Sequence, residues 1–130
     1  MNIIKLFFFI HIIFMTLGLA FMMRAIIDIN RKKKDVFSHK IDGKLGAIFA
    51  IIGLISAGTF VEMSSGLHLK TPHSLSGIIT LVLIVLSVIL AIMGTKGHKF
   101  AYKLHRPISA IAFTLYMLTF FFGILLAVSS

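Results

Sequence analysis

Six histidines stand in a chain that has no cysteine and only four acidic residues. Four of them, His11, His39, His73 and His105, fall one to each of four apolar segments. An ionisable residue inside or at the edge of a membrane span is costly, so it marks a function by default. A neutral imidazole nitrogen suits iron, and two imidazoles fill both axial positions of a haem. Four imidazoles at two depths thus suggest two b-type haems, and a path for electrons across a membrane. Iron ligated on both faces has no open position for dioxygen, so such a centre carries electrons rather than gas.

The elements that must position these residues are helices. The chain has 130 residues, 58% of them hydrophobic, and a mean hydropathy of +1.05. A soluble domain of this size is not so apolar. Four stretches are long enough to cross a hydrocarbon core, which takes about 20 helical residues. They lie near 3–27, 41–63, 74–95 and 104–128. The first has an apolar run too long for a removable signal peptide, and its strong positive charge follows the run. The short connections make consecutive helices antiparallel neighbours. The expected fold is an all-α integral membrane four-helix up-down bundle, one domain over 1–130.

The net charge of +9 points to membrane topology rather than to nucleic acid. No soluble segment is long enough for a nucleic-acid-binding domain. Eleven Lys and Arg, namely Arg24, Arg31, Lys32, Lys33, Lys34, Lys40, Lys44, Lys96, Lys99, Lys103 and Arg106, surround the first and third connections. Lys5 and Lys70 alone lie on the other side. Basic connections stay in the cytoplasm. The asymmetry predicts a multi-pass protein of the cell membrane, with both termini outside and loops 28–40 and 96–103 cytoplasmic. The missing cysteine excludes disulfides, iron–sulfur clusters and covalent c-type haem attachment.

Stepping by four and three from each histidine collects a stripe of small and polar residues. The first helix gives His11, Met15, Gly18, Met22 and Ala25; the second gives His39, Gly43, Gly46, Ala50, Gly53 and Ala57. The third gives His73, Gly77, Thr80, Ile84, Ser87, Ala91 and Gly94; the fourth gives His105, Ser109, Ala112, Tyr116, Thr119 and Gly123. Small residues let helices pack closely in lipid, which explains such stripes without a ligand. They also leave room for a flat porphyrin, one against Gly43 and Gly46 and another against Ala57.

Depth pairs His11 with His73 near the outer face and His39 with His105 near the inner face. Each pair joins alternate helices, which lie diagonally opposite in a four-helix bundle. The second ring nitrogen of each ligand needs an acceptor to fix its orientation. Haem propionates need cations or hydroxyls. Lys40 and Arg106 follow the inner ligands, Lys44 lies one turn on, and Lys70, Thr71 and Ser74 stand on the outer side. All of these also read as interfacial anchors. His68 and His98 read as loop residues, with His68 a possible outer acceptor site or a substitute for His73. Pro72 is expected to open the third helix, and Pro107 to start or bend the fourth. A bare copper or zinc centre would need three or four converging ligands, which no spacing here supplies.

These residues resemble the four-helix core of the cytochrome b561 family. The resemblance rests on His11 with Gly18 seven later, RKKKDVFSHK before the second ligand, LHLKTPHSLSG around the third and KLHRPISA around the fourth. It covers nearly the whole chain and lacks the two flanking helices of eukaryotic members, so it implies a minimal, microbial relative. It implies two haem b groups, one histidine from each of four consecutive helices, and alternate helices sharing a haem. It also implies a basic inner surface at Lys33, Lys34, Lys40 and Arg106, and an outer metal-reducing surface at His68.

The sequence thus supports an electron-transfer cytochrome, a transmembrane oxidoreductase whose donor is a quinol, an ascorbate-like reductant or a redox protein. Its other partners are membrane lipid and either a second copy or a larger redox complex. Two further readings stay open: a non-redox helical accessory subunit, and a single-haem quinone-reactive anchor.

Overall fold

The computed structural model describes residues 2–31, 35–64, 66 and 71–129. Four helices account for nearly all of them: α1 (Ile3–Asn30), α2 (Val36–Ser64), α3 (Pro72–Thr95) and α4 (Lys99–Ser129). No strand occurs among the described residues. The shortest helix has 24 residues, about 36 Å at 1.5 Å per residue, against a hydrocarbon core of about 30 Å. All four are long and apolar enough to span a membrane. The protein is an all-α, multi-pass membrane protein.

The helix starts have local causes. Asp35 caps α2: its Oδ1 accepts the Ser38 N–H at 2.9 Å and its Oδ2 accepts the Ser38 hydroxyl at 2.8 Å. These two bonds, the backbone one first, hold the Asp35 carboxyl below its ordinary value of 3.8. Thr71 caps α3 in a reciprocal box with Ser74, and Pro72 takes the first helical position as expected. There its missing N–H has no partner to lose. Gly97 ends the α3 connection at φ 97°, a left-handed conformation that glycine adopts without strain.

Helices α2 and α4 begin five residues before the apolar spans 41–63 and 104–128. Capping and charged ends extend a helix past its apolar run, because Lys and Arg stems can reach the interface. His39 and His105 are therefore helical residues. Pro107 neither starts nor ends α4; it lies inside the helix. Helices in membranes tolerate this where neighbours re-satisfy the freed backbone group.

The chain divides into two compact units, Met1–His68 and Leu69–Ser130. The first unit is the hairpin α1–α2. Gly46 and Gly53 bring its helices close. A Cβ on Gly46 would stand 3.1 Å from the Gly18 carbonyl oxygen and 3.1 Å from the Met22 nitrogen. One on Gly53 would stand 2.9 Å from Met15 Sδ. Phe14 and Phe21 both lie against Phe49, with ring centroids 5.6 and 5.4 Å apart. The second unit is the hairpin α3–α4, built around Tyr116, Thr80 and Thr119, all fully buried. Gly94 admits the Tyr102 backbone, and Gly123 admits the His73 ring.

The small-residue stripes are thus the contact faces within each hairpin. None of their residues is exposed, while Ile48, Ile55, Val82, Ile89, Ile111 and Leu118 face outward. Gly46, expected to leave room for a porphyrin, is filled by Met22 and the Gly18 backbone. Gly43 is different, with nothing within 4 Å of its Cβ position.

Candidate functional site

All four segment histidines make one kind of contact. Each points its Nδ1 at a main-chain carbonyl of the other helix in its hairpin. His11 Nδ1 lies 2.8 Å from the Gly53 oxygen, and His39 Nδ1 lies 2.8 Å from the Ala25 oxygen. His73 Nδ1 lies 3.0 Å from the Thr119 oxygen, and His105 Nδ1 lies 3.0 Å from the Ser87 oxygen. His105 Nδ1 also stands 3.3 Å from the Ser87 hydroxyl.

A carbonyl oxygen only accepts, so Nδ1 must carry the hydrogen. In the neutral ring the lone pair is then on Nε2. One tautomer is selected at four positions, with the lone pair on Nε2. Metal-bound histidines are held in this way, by donating the other ring N–H to a carbonyl or carboxylate. A helical carbonyl keeps a second lone pair after its own i+4 bond, which is why it can accept an imidazole as well.

The spacing is regular. Fourteen residues separate His11 from Ala25 on α1, and fourteen separate His39 from Gly53 on α2. Fourteen also separate His73 from Ser87 and His105 from Thr119. That is about four turns and about 21 Å, so both positions fall near one helix face. The crossed bonds at the two levels make each hairpin antiparallel. Shifting α1 numbers by 62 and α2 numbers by 66 turns the first set into the second: His11 becomes His73, Ala25 Ser87, His39 His105 and Gly53 Thr119. Each hairpin carries one histidine near its connection and one near its open end. Ala25, Gly53, Ser87 and Thr119 are all small, so an imidazole can reach the backbone beside them.

The acceptors escape a reading of the sequence because every residue has a carbonyl. The signal that could have found them is the small residue fourteen positions after each histidine.

The expected propionate partners Lys40, Lys44 and Arg106 are exposed on α2 and α4 and form no ion pair among the described residues. Thr71 and Ser74 spend their hydroxyls on each other and on the helix cap, at 3.1 and 2.8 Å. Lys70, His68, Lys33 and Lys34 lie outside the described residues. His98 is exposed in the α3–α4 turn. Among the described residues, no three His, Asp or Glu side chains converge as a metal site.

Two carboxylates were not singled out from the sequence. Asp42 is 4% exposed and Asp28 is 5% exposed. Asp42 Oδ2 pairs with Arg24 Nε at 3.3 Å, across the α1–α2 contact. Asp28 Oδ1 pairs with Arg31 at 3.4 Å. The Arg24 contact has ion-pair distance but not hydrogen-bond alignment, and Asp42 Oδ2 and Asp28 Oδ2 accept no hydrogen bond among the described residues. Compared with protein-family models, curated proteins and solved structures, the chain matches none.

Proposed function

We propose that the protein is a di-haem b transmembrane electron carrier of the cytochrome b561 type. Four imidazoles, each anchored through Nδ1 to a partner-helix carbonyl, are the observation that carries this reading. Four histidines placed for packing alone would not all select the same tautomer at the same spacing. The donor set fits haem: two neutral nitrogens per iron and no thiolate. The depth of each histidine along its apolar run in the sequence supports His11 and His73 as the ligands of one haem and His39 and His105 as those of the other. Bound haem supplies reversible one-electron exchange at iron.

The chain's own residues supply orientation and insulation. The Gly53, Ala25, Thr119 and Ser87 carbonyls fix the four rings. Bulky outward faces keep water away. Lys40, Lys44 and Arg106 are the proposed cationic partners for the propionates of the His39/His105 haem, and Lys70 is the proposed partner for those of the other haem. The excess of Lys and Arg in the first and third connections supports a topology with 28–40 and 96–103 in the cytoplasm and both termini outside. The donor is a quinol, an ascorbate-like reductant or a reduced redox protein, and the acceptor is a one-electron oxidant on the opposite face.

One observation favours a second reading, an accessory subunit of a larger complex: Gly46, Gly53 and Gly94 serve close helix packing. A reduced-minus-oxidised spectrum of the purified chain, with haem and polypeptide quantified together, separates the two. A b-type α band with about two haems per chain, the saturation expected of four axial imidazoles, supports the carrier. A folded, colourless protein after haem supplementation supports the subunit.

A further inference from the structure

We infer that Asp28 and Asp42 make the His39 haem centre the harder of the two to reduce. The inference deepens the di-haem reading and rests on it. Asp42 lies three residues past His39 in α2, and Asp28 lies three residues past Ala25 in α1. They bracket the His39–Ala25 hydrogen bond, one toward the helix middle and one toward the connection. Both are at least nine-tenths buried, and each keeps one oxygen that accepts no hydrogen bond among the described residues.

Their cationic partners do not cancel them locally. The Arg24 and Arg31 side chains are 65% and 64% exposed, against 6% and 8% for the carboxylates. Water and salt screen the guanidinium ends, while the carboxylates sit in poorly screened surroundings. Lys40 and Lys44 are likewise exposed. Ferric haem b with two imidazoles carries one positive charge on iron and ring, and one added electron makes that core neutral. A fixed anion nearby favours the oxidised form, and local charge is one of the protein's levers on potential.

The second hairpin carries no carboxylate at the matching positions. The positions that match Asp28 and Asp42 are Leu90 and Ile108, and Arg24 is matched by Leu86. Residues 69–130 contain no acid at all. Of the other acids, Asp35 is exposed at the α2 cap, and Glu62 is exposed nine residues past Gly53. The carboxylate pair is therefore specific to the surroundings of one histidine. An arrangement selected for packing alone would put apolar residues at both places, as in α3 and α4.

The test is an optical redox titration of the full-length protein in lipid nanodiscs, with dithionite and ferricyanide as titrants. The His39 component is identified as the one that persists in His73→Ala. In Asp42→Asn the ratio of reduced to oxidised haem in that component should rise about tenfold at fixed ambient potential, ~59 mV for one electron, with the other component unmoved. Arg24→Gln should move the same component the opposite way. If Asp42→Asn fails to retain haem, Asp28→Asn should raise the same ratio and Arg24→Gln should lower it. An unmoved His39 component, or equal movement of both, overturns the inference and leaves the di-haem reading standing. Absence of haem from the unmodified protein overturns the di-haem reading itself.

Discussion

The His39 imidazole reaches across its hairpin to the Ala25 carbonyl, 2.8 Å away, and so is held by backbone rather than by another side chain. No side-chain substitution at Ala25 removes that acceptor. Loss of orientation at His39 requires the two helices to move apart, and that makes the close glycine contacts part of the site.

Gly46 and Gly43 should therefore respond in opposite ways to the same change. Gly46→Leu meets backbone of α1 at 3.1 Å, and overpacking of this kind costs about 1–3 kcal/mol. It should lower the melting temperature of the detergent-solubilised protein. Gly43→Leu meets nothing within 4 Å and should leave the melting temperature unchanged while lowering haem content at the His39 centre. A stability loss in Gly43→Leu equal to that in Gly46→Leu would count against open space at Gly43.

Replacing one axial ligand should remove one haem. His73→Ala is expected to hold about one haem per chain, because two imidazoles saturate each iron. Haem quantified against polypeptide checks it. Two retained haems would overturn the pairing of His11 with His73.

The α3 cap stands directly before His73. Thr71→Ala removes the acceptor for the Ser74 N–H at 3.1 Å, and loss of such a cap costs about 1 kcal/mol. His73, the second residue of α3, should then fray with the first turn. Amide exchange at Leu75 and Ser76 should speed up, and the His11/His73 haem should dissociate faster than the other.

At α2 the effect is pH-dependent. The Asp35 carboxyl is held below 3.8, chiefly by the Ser38 N–H and then by its hydroxyl. A lowered folded value means that the stabilisation is present above the ordinary carboxylate value and lost as pH falls through the folded one. Measured against the intrinsic rate, exchange at the Ser38 and His39 amides should therefore quicken as pH falls below the ordinary value of 3.8. In Asp35→Ala it should be fast at neutral pH as well, with no acid transition.

The apolar runs alone determine four membrane helices, because about 20 residues without charge have no other stable place. The histidine in each run, the small stripe beside it and the opening of α3 at Pro72 are equally legible, since they follow from residue type and helical period. Helix ends beyond the apolar runs are not, because Asp35 and the basic residues act through caps and interface rather than through hydropathy. Tertiary structure alone decided that Gly46 and Gly53 receive Met22 and Met15 rather than open space, and that Gly43 stays open. It also decided that Nδ1 of each histidine meets a carbonyl fourteen residues from the hairpin's other histidine, and that Asp28 and Asp42 are buried around His39. The reason is physical. A carbonyl carries no residue identity, and the burial of a carboxylate depends on which helix lies beside it, so neither is written in the order of side chains along one strand of sequence.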